Sequence, residues 1–121
     1  MSSGRVSNQH PLFPVTFRLP QRPDLNVEFV VDTGFTGFLT LSPKAITAMG
    51  LSFLYRIPAD LADASTVELD VYDAPIIWNG VERHVPLLAI GQRPLLGTAF
   101  LKDCEVTIQF VENGLVMIKE M

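Results

Sequence analysis

Cysteine occurs once in this 121-residue chain, at Cys104. That excludes an intrachain disulfide framework and any metal site built from several cysteines. Histidine occurs twice, at His10 and His84, with no His/Cys/Glu grouping at ligand spacing, so no metal is expected. No Gly-x-Ser-x-Gly elbow accompanies either histidine, which removes the usual sequence sign of a Ser-His-Asp hydrolase. Charge is scarce: 18% of residues are charged, nine basic against thirteen acidic, for a net charge of −4. Binding nucleic acid through phosphate neutralisation calls for the opposite sign. No apolar run approaches the roughly 20 residues that a membrane helix needs. The first ten residues lack the apolar stretch of a secretory signal. The expectation is a soluble, cytoplasmic protein with no nucleic-acid or membrane partner and no metal or organic cofactor.

What is present is apolar material, 48% of the chain, in short alternating runs. The length fits one domain, which should bury about two thirds of its unfolded-state surface. Residues 1–10 are polar and expected to be loose; residues 11–121 are expected to form the domain. Strands are predicted over 12–19 (weakened by Pro14), 27–31, 38–41, 65–72, 74–78 and 81–90. Asn79-Gly80 and Asn113-Gly114 mark hairpin turns, the second closing a pair over 105–111 and 115–119. One helix is predicted over 43–49, with Ser42 as cap, Pro43 in the first turn and Gly50 as the stop. A second short helix is expected after Gly97. Many short strands with one or two brief helices predict a mostly β chain folded as a small closed β-barrel.

The sharpest chemical feature is the segment Phe29-Val30-Val31-Asp32-Thr33-Gly34-Phe35-Thr36-Gly37. A carboxylate directly after an apolar strand is costly unless it is hydrogen-bonded or used. Gly34 lets the backbone approach Asp32, and its N–H can donate to the carboxylate. Asp, Thr and Gly are also ordinary turn residues, so an unremarkable strand-ending turn is the competing reading. Further on, Pro94-Leu95-Leu96-Gly97-Thr98-Ala99-Phe100-Leu101 places two leucines before a glycine.

A strand ending in Asp-Thr-Gly, followed later by apolar-apolar-Gly, resembles the retropepsin-like aspartic proteases. The Asp32 segment looks particularly like a prokaryotic branch with Phe after Asp-Thr-Gly. The resemblance implies that Asp32 is the catalytic carboxylate and that Thr33 braces two active-site loops across a subunit interface. It gives Gly34 the turn and the substrate backbone, and has Leu95, Leu96 and Gly97 pack behind the loop. It places a flap over residues 58–66, so that Phe35, Thr36, Gly37, Ala62, Asp63 and Ala64 become substrate-binding candidates. Phe38, Leu61 and Ile90 join Phe35 as candidates for apolar subsites. The implied mechanism needs two carboxylates sharing a proton, and none of the other aspartates is followed by Thr-Gly or Ser-Gly. The resemblance therefore implies a homodimer contributing Asp32 twice, acting as an endopeptidase on peptide or protein substrates.

The retroviral members carry a small residue where Phe35 stands and acidic residues near Thr36 and Gly37. The flap segment here contains no glycine. A second reading accordingly stays open: a non-catalytic dimerisation or peptide-binding module on the same barrel. His10 and His84 read as solvated side chains, and Cys104 as a small core filler. Tyr72, Trp78, Phe100 and Phe110 read as core aromatics.

Overall fold

A computed structural model describes residues 3–121. The chain forms β1 (Gly4–Ser7), β2 (His10–Phe17), β3 (Leu25–Val31), β4 (Leu39–Leu41), α1 (Pro43–Met49), β5 (Phe53–Asp60), β6 (Thr66–Trp78), β7 (Val81–Ala89), β8 (Leu95–Leu96), β9 (Cys104–Ile108) and β10 (Leu115–Glu120). The strands run in the order β5-β6-β7-β4-β8-β3-β2-β1-β10-β9. A further pairing of β6 with β2, Thr16 opposite Ile77 and Phe17 opposite Ile76, closes six of them into a ring. The chain is thus mostly β, with one helix among the described residues.

Alternation builds the ring's interior. Along β2, Pro11, Phe13, Val15 and Phe17 point inward and are buried, while the intervening residues are half-buried. Pro14 falls between the stretch paired with β1, which ends at Leu12, and the stretch paired with β6, which starts at Thr16. One side of the strand is unpaired there, so a residue with no N–H is tolerated. Phe29 and Val31 from β3, Leu39 and Leu41 from β4, Ile76 from β6, Leu87 from β7 and Leu96 from β8 are among the residues that join them in the core.

Helix α1 obeys local rules. The Ser42 hydroxyl accepts the Ala45 N–H at 3.2 Å, and Pro43 occupies the first turn. Gly50 ends the helix at φ 69°, donating to the Ile46 carbonyl at 3.0 Å. In the β6–β7 turn, Asn79 and Gly80 both take positive φ, 51° and 77°, as a two-residue hairpin turn requires.

Three expectations are corrected. The N-terminal segment is not loose from Gly4 onward: β1 pairs with β2 and with β10, and Val6 is 2% exposed. It forms a tight hairpin with β2 and takes its second partner, β10, from the far end of the sequence, which local polarity does not reveal. No second helix follows Gly97. The N–H groups of Thr98 and Ala99 donate outward to the carbonyls of Phe35 and Gly37, and Asp103 adopts φ 62°, leaving a series of turns. Finally, the two strands expected over 65–72 and 74–78 are one continuous strand, β6.

Candidate active site

Asp32 sits where β3 leaves the ring, and its backbone is fixed before its side chain matters. β3 runs parallel to the two-residue β8, with Val30 opposite Leu95 and Val31 opposite Leu96. The Val30 N–H donates to the Pro94 carbonyl and the Asp32 N–H to the Leu96 carbonyl, both at 2.9 Å. Alternation that buries Phe29 and Val31 leaves Asp32 half-buried at the rim. There the Gly34 N–H donates to Asp32 Oδ1 at 2.8 Å, and the Phe35 N–H closes the turn on the Asp32 carbonyl at 3.2 Å. Oδ1 is thereby oriented by the turn itself. Thr33 and Gly34 are exposed beside it.

The residues after the turn are tied to the Leu95-Leu96-Gly97 segment by three backbone bonds. Gly97 donates to Phe38, Thr98 to Phe35 and Ala99 to Gly37, at 2.9, 2.8 and 3.1 Å. Approach this close leaves no room for side chains. A Cβ on Gly97 would lie 2.4 Å from the Gly37 carbonyl oxygen and 2.5 Å from the Phe35 ring. A Cβ on Gly37 would lie 2.5 Å from the same ring. The Phe35 ring therefore packs against both glycines and braces the turn against Gly97. This packing supplies a physical reason for glycine at both positions.

Thr40 extends the brace and was missed by sequence reasoning. It is 1% exposed, and its Oγ1 accepts the Leu95 N–H at 3.0 Å and donates to the Arg93 carbonyl at 3.5 Å. It anchors β8, which anchors Asp32. A polar residue flanked by Leu39 and Leu41 in a wholly buried strand was the available signal.

The expected flap segment is the hairpin of β5 and β6, with Ala62, Asp63 and Ala64 exposed at its tip. The tip is shaped without glycine. Leu61 donates to the Ser65 carbonyl at 2.8 Å, and Ala64 takes φ 68°, a strained conformation for a residue with a Cβ. Asp63 accepts both the hydroxyl and the backbone N–H of Ser65, and these bonds hold its carboxyl below the usual range. The Thr66 hydroxyl donates to Asp60 at 3.1 Å, just below the tip.

No family model, curated protein or solved structure matches this chain. Its chemistry must be argued from its own residues.

The turn and the hairpin meet at an apolar cavity of about 160 Å³. Gly37 and Phe38 contribute from the turn, Tyr55 and Ile57 from β5, Val71 from β6, and Pro86 and Leu88 from β7. Of these, sequence reasoning singled out Gly37 and Phe38 alone. A signal existed for the β7 residues: Val85 to Ala89 is apolar at every position, so both faces of that strand must be covered. Val85 and Leu87 face the ring's core, and Pro86 and Leu88 the cavity. Four larger clefts contain no residue of the Asp32 turn.

The remaining candidates fall elsewhere. Leu61 is exposed at the tip, while Ile90 is exposed and donates to the Leu41 carbonyl. Thr36 is exposed on the turn. His84 lies between two carboxylates, Nδ1 at 2.9 Å from Asp73 and Nε2 at 3.1 Å from Glu82. These bonds, that to Asp73 first, raise its pKa. His10 contacts Arg93 at 2.6 Å. Cys104 is half-buried against the core, and burial pushes its thiol up. Phe100 is buried and Trp78 partly so, but Phe110 is 66% exposed, which corrects its reading as a core aromatic. It lies two residues past Ile108, the last residue of β9, in the loop to β10. Among the described residues, no group of three or more His, Cys, Asp or Glu side chains is placed to hold a metal ion. No described helix is long and apolar enough to cross a membrane.

Proposed function

We propose that the chain is an aspartic endopeptidase of the retropepsin-like type, hydrolysing peptide bonds with two Asp32 carboxylates from the two copies of a homodimer. One observation carries this reading. Asp32 stands at the rim of a closed strand ring with its backbone pinned to Leu96 and Oδ1 held by the Gly34 N–H. A carboxylate positioned that firmly, yet only half-buried, suits general acid/base work better than a simple turn. The exposure of Thr33 and Gly34 on the same turn leaves them available to a second copy and to a substrate backbone.

The chemistry follows from two carboxylates sharing one proton. The ionised member takes a proton from a water, whose oxygen attacks the peptide carbonyl carbon. The protonated member donates its proton to the carbonyl oxygen. The tetrahedral intermediate then collapses: one of its hydroxyls returns a proton to the ionised carboxylate, the C–N bond breaks, and the other carboxyl gives its proton to the leaving amine, which restores one proton on the pair. Neighbouring carboxylates of this kind titrate as a pair in two separated steps, so rate against pH is bell-shaped.

The glycine-free tip, held by the Asp63–Ser65 and Asp60–Thr66 bonds, favours the other reading, a non-catalytic dimerisation or peptide-binding module. Replacement of Asp32 by Asn separates the two. The expected result is an unchanged fold and dimer with cleavage reduced by about a thousandfold or more. A fully active Asp32→Asn variant sinks the catalytic reading. Titration with a statine-type transition-state mimic adds a binding measurement, because an assembled dyad holds it far more tightly than a plain peptide. A strict monomer at micromolar concentration that ignores the mimic leaves the module reading in place.

A further inference from the structure

The longest strand, β6, changes partner partway along. On one side it pairs with β7 over Val71–Trp78; on the other it pairs with β5 over Thr66–Tyr72 and with β2 at Ile76 and Ile77. Residues 73–75 are therefore the joint between the β5–β6 hairpin and the ring of strands. Two backbone bonds cross it, both at 2.8 Å. The Asp73 N–H donates to the Ser52 carbonyl, just before β5, and the Arg18 N–H to the Pro75 carbonyl, just after β2.

Side chains of alternating charge run over the outer face of that joint. Ala74, Ile76 and Val85 are buried in the core, so alternation turns Asp73, Pro75, Glu82 and His84 outward. His84 stands opposite Pro75 and reaches diagonally to Asp73. Its Nδ1 lies 2.9 Å from Asp73 Oδ2 and its Nε2 3.1 Å from Glu82 Oε2. Glu82 in turn lies 3.9 Å from Arg18, which donates to Asp24 at 3.3 Å. Asp73 from β6, Glu82 from β7, and Arg18 with Asp24 from the segment after β2 are thus the charged groups around the imidazole. Residues 50–52, which wall the same cleft of about 430 Å³, contribute none.

Both ring nitrogens face carboxylate oxygens, and an ionised carboxylate only accepts. Both must then carry hydrogen, which is the imidazolium form. The same bonds, that to Asp73 first, raise the His84 pKa. In the neutral ring one nitrogen turns a lone pair toward a carboxylate, and that contact opens. Glu82 is the one to leave. Its side chain is 45% exposed against 27% for Asp73, and Arg18 offers it another cation. The bond that stays, to Asp73, passes from a charged donor to a neutral one and weakens.

We infer that His84 is a proton-operated clasp on this joint. As the imidazolium it straps β7 to β6 through Asp73 and Glu82 and stiffens the attachment of the β5–β6 hairpin. On losing its proton it releases Glu82 to Arg18 and lets the joint flex. A raised folded-state pKa contributes stability that is fully present below the ordinary histidine value, about 6.5, and is lost as pH rises through the folded value. The clasp rests on the fold alone and holds whether or not the chain cleaves peptides.

Two measurements are made on the full chain. In the first, the ring nitrogens of His84 are followed by NMR through a pH titration. Both are expected to carry hydrogen at about pH 6, with a midpoint above that of a free histidine, about 6.5. Asp73→Asn and Glu82→Gln should each lower the midpoint, Asp73→Asn by more. A midpoint at or below the free value, or one that neither variant moves, overturns the clasp. In the second, hydrogen exchange of the Asp73 and Arg18 amides is measured across the same titration and corrected for its intrinsic pH dependence. Protection should fall about two- to fivefold as His84 loses its proton, the scale of an exposed ion pair, and should not fall in His84→Gln. Glu82→Gln should shrink the fall, and it carries the test should His84→Gln melt early. Constant protection while His84 titrates as expected overturns the clasp, because the cluster then ties nothing down. A fall that persists unchanged in His84→Gln belongs to another group and overturns it as well.

Discussion

The Asp32 turn and the tip of the β5–β6 hairpin are both short loops on the same ring of strands, and they are held in opposite ways. The turn is fixed by backbone bonds to a distant segment, by a ring packed against two glycines, and by a buried threonine behind β8. None of those ties titrates. The tip is exposed throughout, and the side-chain bonds that hold it run from Ser65 and Thr66 to the carboxylates of Asp63 and Asp60. Under the proposed peptidase reading, the turn, a floor fixed without titratable ties beneath a hairpin that responds to solvent, suits substrate capture, since the reacting groups must stay put while a lid moves.

The sharpest way to break this comparison is to disturb the floor. Gly97→Ala places a methyl 2.4 Å from the Gly37 carbonyl oxygen and 2.6 Å from that of Phe35. Backbone cannot step aside as a side chain can, so the variant should lose about 3 kcal/mol or more of stability in chemical denaturation. Wild-type stability for Gly97→Ala would refute the tight seam. Next in size, Gly37→Ala brings a methyl against the Phe35 ring, 2.5 Å away, where Gly97 packs close to the same ring. Here the obstacle is a removable side chain. Introducing Gly37→Ala into a Phe35→Ala background should cost less than in wild type, with a coupling of about 1–3 kcal/mol. Phe35→Ala should rescue Gly97→Ala only in part, because it removes the ring contact at 2.5 Å and leaves both carbonyl clashes. A double-mutant cycle with zero coupling removes Phe35 from the brace.

How much of this could be read from the sequence depends on the range of the interactions. Helix α1 was legible to the residue because Ser42, Pro43 and Gly50 act within one or two turns. The Gly34 bond to Asp32 was legible for the same reason: donor and acceptor are two residues apart. The bracing role of Phe35 was not, because it depends on Gly97, far along the chain, and a phenylalanine after Asp-Thr-Gly looks equally like a pocket wall. Strand β1 failed in the same way. Gly4–Ser7 is polar in local composition and lies as a strand between β2 and β10, the latter from the other end of the chain. The cavity escaped because pattern reading assigns each strand one buried face, and β7 has two.

The smallest expected effect concerns the lid, and it sharpens the contrast because it depends on pH. The Asp63 carboxyl is held below its ordinary range by the Ser65 hydroxyl and N–H, so folding of the tip favours the ionised form. A depressed folded-state pKa contributes stability that is present above the unfolded carboxylate value, about 3.9, and is lost as pH falls through the folded value. The tip should therefore hold at neutral pH and loosen in acid, where the protonated carboxyl accepts poorly from Ser65. Amide hydrogen exchange at Ala64 and Ser65, corrected for its intrinsic pH dependence, should show protection falling below about pH 4 while Asp32 and Gly97 keep theirs. Asp63→Asn retains an acceptor oxygen but not the charge, so it should remove the pH dependence and leave a modest, constant loss of protection. Since Asp63 is fully exposed, global stability should barely change. Equal loss of protection at the turn and the tip in acid would mean that the floor and the lid are one cooperative unit, and the distinction drawn between them would fail.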